Sequence, residues 1–356
     1  MNRLILIGNG FDLAHGMKTS FKDFIAHYIA KTLNNASKAG DQKQRFFTTR
    51  RHIPQNIPIE NALSIFEQLK TQREIISISL FFNSITTDIK NKNWVDIESV
   101  YFSFLSAHLT NKTFIKALNL ELDYLKTSLI EYLTEEENKI NSIYGQGNKL
   151  ANCFIEEIYK DEIVTTRLNK DKKPDFYHIL NFNYTNTAER YKDILINKGI
   201  HKDQIDVNYI HGSLDSTNGE PIFGFGDELD KKFKTFEELN NNDLFKHIKS
   251  FGYLQNKNYY NLIRFIDGFG DFQVQIYGHS CGLTDRTLLN KIFEHEGCKS
   301  IKIFYYEKEG ENDFTERTHE IYRHFENKDV LREKIVHFKL SKPMPQDMEV
   351  DRTQSF

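Results

Sequence analysis

Arg3-Leu4-Ile5-Leu6-Ile7-Gly8-Asn9-Gly10-Phe11-Asp12 decides the fold. The aliphatic run reads as a strand buried on both faces, as strands of a parallel sheet are. Two glycines directly after it let the backbone turn tightly and come close to a ligand. A helix beginning there would point free N–H groups at the turn, a natural place for phosphate. Gly-x-Gly lacks the third glycine of the dinucleotide fingerprint, so the other strand ends must say what the loop serves.

Outward from this loop, residues 20–171 are helical in pattern. Thr19-Ser20 followed by Asp23 resembles a capping box. Phe114, Leu118, Leu122, Leu125, Leu129 and Leu133 mark one face of an amphipathic helix. Ile75 to Ile89 and Val95 to Leu109 read as further helices, and Asn34 to Glu60, with Pro54 and Pro58, as a long loop. From about residue 175 strands alternate with helices: Tyr177 to Asn183, Ile205 to His211, Phe272 to Tyr277, Ser300 to Tyr306 and a fifth over Glu333 to Leu340. With the first strand this predicts an α/β fold with a mostly parallel six-stranded sheet. The sheet domain is expected over 1–19 and 172–342, with a large helical insertion over 20–171 after the first strand. A smaller helical insert is expected over 230–267 and a frayed polar tail over 343–356.

Composition narrows the class. The chain has 356 residues, 39% hydrophobic and 27% charged, with a formal net charge of −3 and a pI of about 6.5. That balance speaks against nucleic acid as the main partner, although Lys43 to His52 is locally basic. No stretch approaches the ~20 apolar residues of a membrane span, and polar residues by position 9 speak against a secretory signal. Three scattered cysteines, Cys153, Cys281 and Cys298, form no C-x-x-C pair and suit a cytoplasmic chain without a zinc module.

Open α/β sheets bind ligands beyond the carboxyl ends of their strands. Here those ends are Gly8 to Asp12, Asn181 to Thr187, His211-Gly212-Ser213 and Gly278-His279-Ser280. Each has a plain alternative. Asn183 suits a turn, His211 alone suits a structural hydrogen bond, and Asp12 suits a helix N-cap. Together, and in this order, they place glycine, amide, imidazole and hydroxyl groups around one crevice. Trp94-Val95-Asp96-Ile97-Glu98 fits a helix start with acids in its first turn. It would otherwise bring Asp96 or Glu98 to the crevice as an accessory group.

The order of strand ends resembles the sirtuin-like, Rossmann-type NAD-binding fold. Gly8-Asn9-Gly10 stands for its glycine loop, Asn183-Tyr184-Thr185 for its asparagine turn, His211-Gly212 for its histidine and Gly278-His279-Ser280 for its Gly-x-Ser. More closely, Ile7 to Gly16 with Thr19, Trp94 to Glu98, Asn181 to Thr187 and Ile222-Phe223-Gly224-Phe225-Gly226-Asp227 look like the abortive-infection H (AbiH) family of bacterial phage-defence proteins. Two features depart from sirtuins. Thr185 stands where they carry the Asp that holds the nicotinamide amide, and the four-cysteine zinc module is missing. The missing zinc module turns the expectation away from protein deacylation and toward NAD hydrolysis, whereas Thr185 favours a module that binds the nucleotide without hydrolysing it.

The resemblance implies NAD as substrate or ligand, with no metal. It places Asn183 and His211 in catalysis and Gly8, Asn9, Gly10, Phe11, Asp12, Tyr184, Gly212, Gly278, His279 and Ser280 around the nucleotide. Asp96, Glu98, Asp227 and Asp285 are accessory acids. A constitutive NADase would poison its host, so restraint is expected, lifted by a phage component, a defence partner or self-association. The competing function is a sensor or interaction module that binds a nucleotide intact.

Overall fold

The computed structural model describes the chain except residues 40–44, 51–52, 54–55, 145, 166–167, 347–348 and 353–356. Lys43, Arg51 and His52 of the basic stretch lie outside the described residues. The chain divides into two compact units. One comprises residues 1–17, 133–230 and 248–356, the other 18–132 and 231–247.

The first unit is built on six strands: β1 (Asn2–Ile7), β2 (Tyr177–Asn181), β3 (Ile205–Tyr209), β4 (Phe272–Tyr277), β5 (Cys298–Tyr305) and β6 (Lys342–Pro343). Their order is β6-β5-β4-β1-β2-β3 and every pairing is parallel. This is the doubly wound order in which the chain reverses direction between β1 and β4. All six residues of β1 are buried, as expected of a central strand. Leu4 and Leu6 face a core shared with Val274, Ile276, Ile301 and Ile303 and with the helices Asn258–Gly268 and Arg286–Phe293. Ile5 and Ile7 face the opposite core, shared with Tyr177, Ile179, Tyr277 and the helices Gln146–Ile155 and Thr187–Asn197. Helices therefore cover both faces. Leu150, Ala151 and Phe154 seal the second core, and so residues 133–171 cluster with the sheet.

The sheet departs from the expected layout at its far edge. Glu333 to Leu340 is not a strand. Lys328–Lys334 is helical, Phe338–Leu340 is a 3-10 turn, and only Ile335 bridges Ile301. Charged residues at 328, 329, 332, 333 and 334 suit an exposed helix better than a buried strand. The sixth strand is the two-residue Lys342–Pro343 instead, an edge position that tolerates proline. The tail is also better tied than expected. Met344 is buried and its amide donates to the Tyr305 carbonyl, and Glu349–Arg352 pairs antiparallel with Ile140–Tyr144.

In the second unit the helix Phe21–Ala39 starts as predicted, with the Asp23 amide donating to Ser20 Oγ at 3.1 Å. Two expectations fail. Phe47–Thr49 pairs antiparallel with Ile75–Ile78, so the Asn34 to Glu60 loop contains a strand and Ile75 to Ile89 does not begin as a helix. The helix there runs only over Leu80–Thr86. The pairing brings Phe46 onto Phe82, ring centroids 4.7 Å apart, and Phe47 against Phe66. These ring contacts across sequence override the local helical period. Residues 231–247 rejoin this unit, where Phe236 meets Phe102 and the Asp243 carbonyl accepts from Asn119 Nδ2 at 2.8 Å.

Candidate functional site

The loops that follow β1 and β4 meet in the first unit, at the carboxyl ends of those strands. The Gly8 amide donates to the Tyr277 carbonyl at 3.0 Å and the Gly10 amide to the Gly278 carbonyl at 2.8 Å. The Phe11 amide donates to the Gly8 carbonyl at 2.9 Å. Three of the amides expected to receive phosphate are thus engaged within the protein. The following helix, Asn9–Ala14, spans only six residues. What the glycines provide is contact between backbones. A Cβ on Gly8 would stand 2.5 Å from His279 Cα, and one on Gly10 2.8 Å from Gly278 Cα.

Asp12 is the least conventional group here. It does not cap the helix; Gly8 holds that position. Its side chain is buried, with Oδ2 accepting from Thr185 Oγ1 at 2.7 Å and Oδ1 lacking a hydrogen-bond partner among the described residues. Burial pushes its pKa up to about 7, against the pull of the Thr185, Thr187 and Asn183 side chains. The folded value exceeds the unfolded one of about 3.9. Its stabilising contribution is therefore complete below about pH 4 and is lost as pH rises through about 7. Asp12→Asn is expected to flatten this slope and to be more stable than wild type at pH 8 by about 2 kcal/mol, since Asn carries no charge to bury. Urea titrations at pH 5, 6.5 and 8 check it. Parallel pH dependences for the two proteins would contradict it.

Asn183, after β2, donates from Nδ2 to the Gly8 carbonyl at 3.0 Å, while its amide donates to Asn181 Oδ1 at 3.0 Å. The Asn turn and the glycine loop are therefore joined. Tyr184 donates to the Ile222 carbonyl at 2.7 Å.

His211, after β3, sits 6% exposed between partners on both sides. Nδ1 is 3.2 Å from the Phe182 carbonyl, and Nε2 is 3.2 Å from both Tyr253 Oη and Asp285 Oδ1. A neutral ring with its proton on Nδ1 accepts from the tyrosine; a protonated ring donates to the carboxylate. Lys249 Nζ donates to the same Asp285 Oδ1 at 2.8 Å. Burial alone would push the Asp285 carboxyl up. Lys249 first and His211 next outweigh it, holding Asp285 well below the usual carboxylate range. His279 Nδ1 accepts from the Cys281 amide at 3.0 Å, and its Nε2 stands 3.8 Å from Asp285 Oδ2. Burial pushes the His279 pKa down to about 3, so the ring is neutral at physiological pH. Gly212 turns the chain with φ +80°. The Ser280 carbonyl accepts from Arg317 Nη1 at 2.5 Å.

The remaining accessory acids are placed by structural contacts. Asp227 accepts from the Leu229 amide at 3.1 Å and stands 3.4 Å from Arg286 Nη1. Asp96 accepts from the Asn93 amide at 2.7 Å, closing a helix start in the second unit, where Glu98 is buried. Trp94 Nε1 donates there to the Thr19 carbonyl at 3.1 Å. Among the described residues no three His, Cys, Asp or Glu side chains are placed to hold a metal ion, and no helix is long and apolar enough to cross a membrane.

Sequence reading missed Lys249 and Tyr253. Both come from one short helix, Lys249–Tyr253, inside what reads as an insert, and no spacing links them to His211 or Asp285. The nearest signal was the Ile222 to Asp227 stretch, which packs beside Lys249.

A family model described as bacteriophage abortive infection AbiH matches residues 4–307. No curated protein matches the chain. The match begins in β1, includes the loops after β1 and β4 and the residues around Asp285, and runs past the end of β5. By that extent the chain belongs to the AbiH family of bacteriophage abortive-infection proteins.

Proposed function

We propose that this crevice takes NAD and hydrolyses it to nicotinamide and ADP-ribose, as the effector step of abortive infection. The observation that carries the reading is the β1/β4 switch point, where the glycines of two loops bring bare backbone together. Sheets of this order hold dinucleotides at that place. Asn183 and His211, from the ends of the next two strands, add an amide and an imidazole, as in the sirtuin-like pattern. Asp12, bonded to Thr185, brings a carboxyl to the loop where that pattern has an aspartate, and so offers nicotinamide's carboxamide an acidic partner. Gly278 and Ser280 would line the adenosine ribose.

In the reaction, water oxygen bonds to the ribose C1′ as the C1′–N bond breaks, and nicotinamide leaves with the electron pair. Asn183 orients the water or the ribose. His211 accepts the proton the water loses, and Asp285 stabilises the resulting imidazolium. Since the leaving group is cationic before departure and neutral after it, positioning carries much of the task. A second copy of the chain or a phage component would lift the restraint such an activity requires.

His211→Ala and Asn183→Ala are expected to lower nicotinamide release by about 100-fold or more. Chromatographic identification of products from purified wild type and both variants, with and without phage lysate, tests this. NAD left intact by wild type in every condition would overturn hydrolysis. The second reading, a sensor that binds the nucleotide intact, is favoured by one observation: both ring nitrogens of His211 already face protein partners. It expects NAD to be retained and recovered unchanged.

A further inference from the structure

The Ile222 to Asp227 stretch, singled out by sequence and given no task there, packs against Lys249. The Lys249 amide donates to the Phe225 carbonyl at 2.9 Å, and Phe225 and Ile248 form a parallel bridge. A Cβ on Gly226 would stand 2.5 Å from the Thr284 carbonyl oxygen and 3.2 Å from Lys249 Cδ. The bare glycine thus lets the lysine stem and the Thr284-Asp285 turn close on the same spot. At the end of that stem Nζ meets Asp285 Oδ1 at 2.8 Å, with the lysine side chain 2% and the aspartate side chain 8% exposed.

We propose that Lys249, seated on Gly226, is a positioning residue that fixes the Asp285 carboxylate against His211 and balances its charge. The inference rests on the NAD-hydrolysing reading of His211. A carboxylate 3.2 Å from the imidazole in a dry site needs a cation of its own; without one it is an unpaired buried charge that gains by turning away from the ring. The other groups facing this point change the balance little. His279 is held neutral by burial, and Tyr253 and the Phe182 carbonyl carry no charge. Beyond His279, His324 donates from Nε2 to the Cys281 carbonyl, and burial lowers its pKa too. The ammonium of Lys249 is what offsets Asp285.

The test reads the ring nitrogens of His211 by nitrogen-15 NMR at pH 7.5, with the signals assigned by their loss in His211→Gln. In Lys249→Met these signals are expected to move, because the freed carboxylate leaves its place against Nε2. In Gly226→Ala, where no charge changes, they should shift less. On NAD, Lys249→Met is expected to lose about 100-fold in kcat with KM within about threefold. Signals unmoved in folded Lys249→Met overturn the proposal, whatever the protein does to NAD. If that variant does not fold, Lys249→Gln, which removes the charge and keeps a polar side chain, takes its place, and unmoved signals there overturn it equally. Moved signals with NAD intact in wild type uphold the clamp and remove the hydrolytic reading. Nicotinamide release with unmoved signals does the reverse.

Discussion

Gly278→Val is expected to cost about 5 kcal/mol, most of the stability of an ordinary domain, and to leave little folded protein at 37 °C. Gly278 has φ +63°, and a Cβ there would stand 2.2 Å from the Phe11 nitrogen and 2.4 Å from the Gly10 carbonyl carbon. Three losses combine. A β-branched residue in the left-handed region costs roughly 1–2 kcal/mol, and forcing atoms into a packed site costs about 1–3 kcal/mol. Separating the loops also breaks the buried bond from the Gly10 amide to the Gly278 carbonyl, about 1–3 kcal/mol more. Gly199→Ala is the control. Gly199 has φ +91° but nothing within 4 Å of its would-be Cβ, so only strain of about 1 kcal/mol is expected. Urea midpoints of the two variants measure the difference. Near-equal losses would mean that the β1 and β4 loops are not pressed together as described.

Lys302→Met is expected to lose about 3–5 kcal/mol, because it strands the buried Glu162 carboxylate, whereas Glu156 keeps its pair with Lys342. Lys302, in the middle of β5, is fully buried and donates to Glu156 at 2.5 Å and Glu162 at 2.6 Å. Glu162 also accepts from Gln273, whose Oε1 accepts from Arg3 Nη2 at 2.9 Å. Arg3 Nη1 in turn caps the Phe154 and Glu156 carbonyls at 2.7 and 2.6 Å. This network ties residues 154–162 to one face of the sheet, with Lys302 paired to both carboxylates and the Arg3 guanidinium held by two carbonyls and Gln273. Adding Glu162→Gln to Lys302→Met is expected to recover part of the loss, since the stranded charge disappears. Equal stability of the single variant and wild type in urea would contradict the burial of the cluster.

Much of this was legible because local chemistry and global place agree. The aliphatic run of β1 and its glycines could only serve a central strand and a close approach, and the ends of β2, β3 and β4 carried polar groups where a doubly wound sheet exposes them. Other features depended on contacts that no window of sequence contains. The phenylalanines at 46, 47, 66 and 82 turn residues 75–78 into a strand by packing across the chain. The tail is tied by the buried Met344 and by the pairing of Glu349–Arg352 with Ile140–Tyr144. The Asp12–Thr185 and Lys249–Asp285 pairs join residues 173 and 36 positions apart. The open phosphate loop was misread for the same reason: the carbonyls that occupy its amides include those of Tyr277 and Gly278, on the neighbouring strand's end.

Both functional readings place NAD at the β1/β4 switch point, and amide hydrogen exchange of wild type with and without millimolar NAD locates it most directly. The expected result is added protection concentrated in peptides covering Gly8 to Asp12, Asn181 to Thr187 and Gly278 to Asp285. Exchange unchanged in these peptides, or protection confined to others, would contradict the assignment of the crevice.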